Sequence, residues 1–194
     1  MLYPVEISGR VVQLRESRKE DSAASLCVAG DDRVTRWLSY DSRSEAEAET
    51  MISGAMERAR LEPRTEYYLA VTADDQFVGF CRLGFNGVKA AKLVYAIAAD
   101  HWGTDTQRTR LKCLRTTGSA HLGLHRISVA IAPDTNSSIE VAVKLGMQLE
   151  GRIRHHAFTN RGWRNSLLCS VLAEEWSQCS MARSSKSNRP LNEL

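Results

Sequence analysis

Several features that mark whole classes of protein are missing from the sequence. It contains no run of about 18 consecutive apolar residues, the length that a membrane-spanning helix requires. The first ten residues, MLYPVEISGR, have no apolar stretch behind a basic start, so the pattern of a secretory signal is absent. Charge of one sign is not in excess, because the net charge is only +3. We therefore expect a soluble, cytoplasmic protein with no membrane partner, and the small net charge gives no support to a nucleic-acid partner.

Cysteine is scarce, and its spacing is irregular. The five cysteines, at positions 27, 81, 113, 169 and 179, form no CxxC pair, and their odd number argues against a disulfide framework. No spacing of His, Cys and Asp indicates a metal site. The sequence predicts a protein of a reducing compartment that holds no metal.

The chain has the composition of an ordinary globular protein. Its 194 residues are 43% hydrophobic and 25% charged, which is enough for one domain with its own core. The segment after Trp176 is polar and rich in serine. We predict a single domain over residues 1–177 and a flexible tail over 178–194.

Hydrophobic periodicity predicts an α+β fold. Predicted strands cover residues 9–17, 66–73, 76–85, 92–99, 125–132, 151–160 and 165–173. Predicted helices cover residues 19–30, 42–62, 104–122 and 137–146, with Pro63 and Gly146 as stop signals. The strand, helix and strand of residues 92–131 imply a parallel crossover. The expected sheet is mixed and mostly antiparallel, with about seven strands flanked by helices.

Short motifs then occur in a fixed order along the chain. They are WG at 102–103, LGLHRI at 122–127, KLGMQLEG at 144–151, Arg154, Gly162 with Trp163, and EEW at 174–176. In this order they resemble the GNAT superfamily of N-acyltransferases, and its ribosomal-protein-alanine acetyltransferase branch in particular. The resemblance implies a GNAT fold and transfer of an acyl group from a pantetheine thioester, usually acetyl-CoA, to an amine. The thioester is a co-substrate, so no tightly bound cofactor is expected.

The resemblance also implies where the donor lies. The pantetheine arm pairs with the strand at residues 95–97, and the pyrophosphate lies on the amides at the start of the next helix. Free N–H groups and the helix dipole favour an anion at such a helix start. The implied donor-binding residues are Tyr95, Ala96, Ile97, Trp102, Gly103, Thr104, Asp105, Thr106, Gln107, Arg108 and Asn136.

The phosphate turn departs from the family pattern. Asp105 stands where the family has glycine, and Gln107 stands where it has a small residue. A carboxylate beside a pyrophosphate weakens binding by like-charge repulsion. Three alternatives follow. Arg108 and Lys112 offset the charge of Asp105 and acetyl-CoA binds, or the thioester is carried by an acyl carrier protein on phosphopantetheine. In the third, the chain is a non-catalytic binding protein or uses an aminoacyl-tRNA donor.

For catalysis, the family pattern directs attention to Ser138. The family places an asparagine three residues before a serine, and this register falls on Thr135 and Ser138, with Asn136 displaced by one. Ser138 is suited to hydrogen-bond the thioester sulfur and help protonate the leaving thiolate. The alternative is that Ser137 or Ser138 caps the following helix. Many members use a tyrosine seven residues after the asparagine, but Ala142 occupies that position.

Candidates for the general base lie further along the chain. His155 and His156 are adjacent in a predicted strand and should point to opposite faces, so at most one faces a cleft. Glu150 is a second type of candidate, with a structural hydrogen bond as the alternative. The predicted catalytic set is Ser138, His155 and Glu150.

The acceptor is expected on the side opposite the donor. Trp37, Tyr40 and His156 are the predicted acceptor-binding residues, with a core role as the alternative for the two aromatics. Asn165 stands where the family commonly has aspartate, and the lost charge makes a cationic peptide N-terminus less favoured. The predicted acceptor is a small-molecule amine, and the predicted assembly is a monomer or homodimer.

Overall fold

A computed structural model describes residues 3–9, 12–102, 122–159 and 162–175. Among these residues one mixed sheet has eight strands in the order β1-β2-β3-β4-β5-β6-β8-β7. The strands are β1 (Glu6–Ser8), β2 (Gln13–Glu16), β3 (Glu66–Ala73), β4 (Gln76–Phe85), β5 (Ala90–Ile97), β6 (Arg126–Ile131), β7 (Gln148–Thr159) and β8 (Gly162–Leu172). The α+β prediction is confirmed. The additional strand is β1, a three-residue edge strand that pairs antiparallel with β2.

The helices of the described residues are short, with one exception. They are α1 (Asp21–Ala24), α2 (Leu26–Ala29), α3 (Asp32–Thr35), α4 (Glu45–Ala59) and α5 (Asn136–Lys144), with a 3-10 turn at Ala99–His101. The single helix predicted for residues 19–30 is wrong, because two short helices meet at Ser25. Its hydroxyl donates to the carbonyl oxygen of Ser22 at 2.7 Å, a local bond of the kind that competes with regular helix formation.

The long helix α4 begins and ends for local reasons. Ser44 and Glu47 form a capping box, in which each side chain accepts from the backbone N–H of the other residue. The helix ends at Ala59, before Pro63. The stop predicted for α5 is confirmed, since Gly146 has a φ of +73° just after the helix.

The sheet separates two apolar clusters. Successive side chains of a strand point to opposite faces, so β3 sends Leu69 to one cluster and Ala70 to the other. One face packs against α2, α3 and α4, whose Ile52 is fully buried. The opposite face packs against α5 through Val141 and Leu145. The sheet therefore has helices on both of its faces.

The parallel pair β5 and β6 positions the functional site. The two strands pair from Ala90 with Arg126 to Leu93 with Val129, and the pairing stops there although both strands continue. Residues 94–97 of β5 keep their pairing with β4 alone. The predicted parallel crossover is therefore confirmed, and the strands diverge beyond Leu93.

The close approach of β4 to β5 depends on Gly79. A Cβ atom at this position would clash with the side chain of Ile97 and with the carbonyl oxygen of Ala96. Glycine is therefore required for β5 to lie where it does beside the cleft.

Part of the predicted architecture lies outside the described residues. The predicted helix 104–122, apart from its last residue, the phosphate turn from Gly103 to Arg108 and the tail 178–194 all fall there. Among the described residues, no helix combines the length and apolar character needed to cross a membrane.

Candidate active site

Two cavities meet where β5 and β6 diverge. The donor cavity, as we name it, has a volume of about 210 Å³ and is bounded by β5 and the start of α5. The acceptor cavity has a volume of about 380 Å³ and lies toward β7 and β8. Six residues line both cavities, namely Trp37, Leu38, Phe80, Tyr95, Thr135 and Ser138. The two spaces therefore share a wall, as transfer between two substrates requires.

The donor cavity brings together the predicted donor-binding residues that the structure describes. Tyr95, Ala96, Ile97, Trp102 and Asn136 all line it. Trp102 follows β5, and its indole Nε1 donates to the carbonyl oxygen of Ile97 at 2.9 Å. The aromatic ring is thereby held at the end of the strand. Their roles toward a donor stay predictions.

The start of α5 contributes the polar wall between the cavities. Thr135 is the N-cap residue, and its side chain makes no capping hydrogen bond. Its hydroxyl oxygen is buried and has no hydrogen-bond partner among the described residues. Ser138 is the third residue of the helix, and its backbone N–H donates to the carbonyl oxygen of Thr135 at 3.0 Å. The alternative prediction of Ser137 or Ser138 as N-cap is thus wrong.

A β-bulge decides where the two adjacent histidines point. The pairing of β7 with β8 shifts between Ile153 and Ala157. His155 has a φ of +46°, and its backbone N–H donates to Oδ1 of Asn165 at 2.9 Å. Its ring is exposed, stacks near Trp163 at 6.3 Å and lines neither described cavity. The structure does not bring His155, a predicted catalytic residue, to the cleft.

His156 is the histidine that faces the acceptor cavity. Its Nδ1 lies 3.0 Å from the hydroxyl oxygen of Ser166. Burial lowers the pKa of His156, and the neighbouring charges of Lys92 and Arg164 lower it further. The imidazole is thus neutral near pH 7, the form that accepts a proton.

Glu150 is engaged elsewhere. It accepts hydrogen bonds from Arg126 Nη1 at 2.6 Å and from the hydroxyl of Ser170 at 2.7 Å. These bonds, with that from Arg126 the stronger, lower the pKa of Glu150 to about 2. It lines neither described cavity. Its contacts correspond to the structural hydrogen bond that was the alternative to catalysis, and they give no support to Glu150 as a base.

The aromatic loop after α3 forms the far wall of the acceptor cavity. Trp37 and Tyr40 both line it. Nη1 of Arg164 donates to the carbonyl oxygen of Trp37 at 2.9 Å, which ties this loop to β8. The guanidinium of Arg43 lies 4.6 Å from the ring centre of Tyr40, and burial raises the pKa of the Tyr40 hydroxyl. Both aromatics are therefore fixed in place beside the cavity.

Sequence reasoning missed the charged residues of the acceptor cavity. Arg82, Lys92 and Arg164 line it, and they come from β4, β5 and β8. No local motif joins three strands so distant in sequence. Alternation along β5 puts Lys92 and Ala96 on one face, which was the only signal available.

Within the described ranges, no three His, Cys, Asp or Glu side chains come together as metal ligands. The groups in the site include hydroxyls, an imidazole, an amide, a carboxylate, cations and a strand edge. They suit binding, proton transfer and charge stabilisation.

Comparison with known proteins agrees with this geometry. Residues 12–148 match the family model described as "Acetyltransferase (GNAT) domain". The chain is 23% identical over 164 residues to the uncharacterized N-acetyltransferase YoaA of Bacillus subtilis (strain 168), covering 82% of this chain and 91% of that protein.

Solved structures show the same fold. RimJ of Mycobacterium smegmatis in complex with CoA-disulfide superposes with a TM-score of 0.80 at 22% identity, covering 93% of this chain and 95% of that one. The ribosomal-protein-S5-alanine acetyltransferase of Vibrio fischeri gives 0.75 at 18% identity, covering 89% and 98%. At these identities the likeness shows the shared fold. The family match extends over more than half of the sequence, and the chain belongs to the GNAT acetyltransferases, enzymes that use acetyl-CoA as co-substrate.

Proposed function

We propose that the protein transfers an acetyl group from acetyl-CoA directly to the amino group of a small molecule, at the junction of the two cavities. The observation that carries the proposal is the shared wall, where Tyr95, Thr135 and Ser138 border both spaces. Direct transfer needs the thioester carbon and the amine nitrogen at near-contact distance, and such a junction provides that placement.

In the proposed reaction, donor binding, proton transfer and leaving-group stabilisation involve different parts of the site. The edge of β5 beyond Leu93 binds the pantetheine arm, because its pairing with β6 has ended there. The neutral amine attacks the thioester carbon, a C–N bond forms and the C–S bond breaks. His156 accepts the proton that the amine nitrogen loses and then releases it to solvent. Ser138 donates a hydrogen bond to the departing thiolate, which takes one proton from solvent and leaves as the CoA thiol.

His156 takes the base role in this proposal for two reasons. It lines the acceptor cavity, whereas neither His155 nor Glu150 lines a described cavity. Its lowered pKa also keeps the ring unprotonated near neutrality. The low pKa of Glu150, by contrast, makes that carboxylate a weak proton acceptor.

A binding and product assay tests the proposal. Purified protein should bind acetyl-CoA in a calorimetric titration and form acetylated amine, detected by mass spectrometry, from a panel of small amines. If it binds no acetyl-CoA and acetylates no amine, the proposal is wrong.

The donor is tested separately at the unusual phosphate turn. The double variant Asp105→Gly with Gln107→Ala restores the residue types of the family pattern. Binding of acetyl-CoA should strengthen in the double variant, because a like charge is removed from beside the pyrophosphate. If the protein acetylates amines from an acetylated carrier protein but not from acetyl-CoA, the carrier-bound thioester is the donor.

A further inference from the structure

The acceptor cavity is positively charged in a way that its function as an amine site does not require. Three cationic side chains line it, those of Arg82, Lys92 and Arg164, together with the imidazole of His156. Among the described residues, no aspartate or glutamate lines this cavity. A site for polycations or lysine-rich peptides would carry the opposite sign.

One of the three cations is already compensated. Nε of Arg82 lies 2.5 Å from a carboxylate oxygen of Glu66, a carboxylate that also pairs with Arg58. Burial alone would raise the pKa of Glu66, but the hydrogen bonds from the two arginines outweigh it and lower that pKa. Glu66 is thus fully ionised and offsets part of the charge of Arg82.

Lys92 and Arg164 are different. Neither forms an ion pair within the described part of the chain. Arg164 uses one nitrogen on the carbonyl oxygen of Trp37, and its buried Nε has no hydrogen-bond partner among the described residues. Both line the acceptor cavity together with His156, and their charges lower the pKa of its ring. The two cations and the candidate base therefore surround one space.

From this geometry we infer that the acceptor carries an anionic group, a carboxylate or a phosphate, near its reactive amine, and that Lys92 and Arg164 bind that group. The inference rests on the proposed function and adds the class of acceptor. It names two specificity-determining residues beyond the predicted site.

The same charges favour the chemistry at the amine. An ammonium ion entering the space beside Lys92 and Arg164 meets like charges, which favour loss of its proton to the neutral imidazole of His156. A neutral amine is the nucleophile that the reaction needs. An anionic group on the acceptor compensates the cations, so such a molecule is held while an amine without one is not.

Matched pairs of amines test the inference. The members of each pair share a skeleton and differ in the anionic group, as in phenylalanine and phenylalaninamide, glycine and glycinamide, or O-phosphoethanolamine and ethanolamine. Because this group also changes the pKa of the amine, rates are compared at equal concentrations of the unprotonated amine. We expect kcat/KM with acetyl-CoA to favour the anionic member of at least one pair by about 10- to 100-fold, the range that corresponds to a charge-assisted hydrogen bond. The pair that shows the preference distinguishes carboxylate from phosphate.

Variants locate the effect. Lys92→Gln should reduce the preference about 10-fold, and Lys92→Glu should abolish or reverse it. The matched control is Arg152→Gln, an exposed cation of β7 that lines neither cavity and should leave the preference unchanged. Arg164→Gln should remove the preference that Arg164→Lys retains. An Arg164 that only holds the Trp37 loop would instead lower the rates of both members of a pair alike.

A second measurement separates this inference from the proposed function. Calorimetry of the same pairs with the CoA-saturated protein reports acceptor binding without catalysis. If kcat/KM for the neutral member equals or exceeds that for the anionic member in every pair, the inference is overturned. Acetylation of the neutral amines would still uphold the proposed function. If no amine is acetylated, the proposed function fails. Tighter binding of anionic members would then still support the inference, and equal or absent binding would overturn it.

Discussion

The donor and acceptor cavities share a wall but differ in charge and in how the chain builds them. The donor cavity has one cation and one carboxylate among its described lining residues, Arg36 and Asp134. The acceptor cavity has three cations and no carboxylate among its described lining residues. In the function proposed above, thioester binding is thus separated from the positively charged surface that receives the second substrate.

Replacing the candidate base should have the largest effect. His156→Gln should lower kcat about 10²- to 10⁴-fold, the contribution usual for general acid–base catalysis. Because the pKa of His156 lies below its ordinary value of 6.5, the wild-type enzyme should keep its neutral imidazole to more acidic pH. Its limb in the pH profile of kcat/KM should therefore lie below 6.5, and the variant should lack that limb.

His155→Gln is the informative comparison, because the two histidines are neighbours in sequence but only His156 faces a described cavity. The variant should retain the acidic limb and most of the activity. Loss of the limb in His155→Gln, with its retention in His156→Gln, would reverse the assignment and contradict the division between cavity and exposed bulge.

Removing the hydroxyl at the shared wall should slow chemistry and leave binding unchanged. Ser138→Ala should lower kcat roughly 10²-fold, because the thiolate leaves without its hydrogen bond, while the Kd for acetyl-CoA changes little. Stopped-flow or steady-state kinetics with a calorimetric Kd measure both. Ser53→Ala, an exposed serine of α4, is the control. An unchanged kcat for Ser138→Ala would remove this residue from the mechanism.

Crowding the donor strand should damage only one side of the site. Gly79→Ala should lower the free energy of unfolding by roughly 1–3 kcal/mol, because the added Cβ meets the backbone of Ala96 as well as Ile97. Acetyl-CoA binding should weaken with it. Gly151→Ala has open space around the new Cβ and is the matched control. If Gly79→Ala and Gly151→Ala unfold at the same urea concentration, the close approach of β4 and β5 is contradicted.

The smallest effect is expected outside both cavities. Glu150→Gln should cost about 0–1 kcal/mol of stability, the usual range for a partly exposed ion pair, and should leave kcat unchanged. The pKa of Glu150 is lowered to about 2 in the fold, from an ordinary value of 4.5. Its stabilising effect is therefore full above pH 4.5 and lost as the pH falls toward 2. The stabilities of the wild type and the variant should therefore become equal in acid, and thermal unfolding at several pH values measures them. A large loss of kcat would restore Glu150 as a catalytic candidate.

Much of the fold was predictable because strands and helices carry local periodicity. Strands β3 and β4 have the predicted bounds, residues 66–73 and 76–85. The predicted boundaries of helices and strands were wrong where a single contact sets the boundary. The hydroxyl bond of Ser25 to Ser22 interrupts an amphipathic pattern that reads as one helix, and β1 is too short for a periodic signal.

The candidate site was predictable to different extents on its two sides. The described donor-binding residues come from two short segments, 95–102 and 136, so a family pattern could indicate them. The structure agrees with the prediction that at most one of His155 and His156 faces a cleft. Which of the two does so was not accessible, because the strand register shifts at a bulge between Ile153 and Ala157. Lys92 and Arg164 were missed because no spacing in the sequence relates β5 to β8.

The sequence by itself determined the order of strands and helices, the parallel crossover and the family, since each is written in local periodicity or in an ordered motif. Only the tertiary structure decided where β5 and β6 part, which histidine enters the cleft and what charge surrounds the acceptor. Those properties depend on strand register and on side chains far apart in the chain. Contacts between segments far apart in the chain decide these properties, and local sequence patterns do not record such contacts.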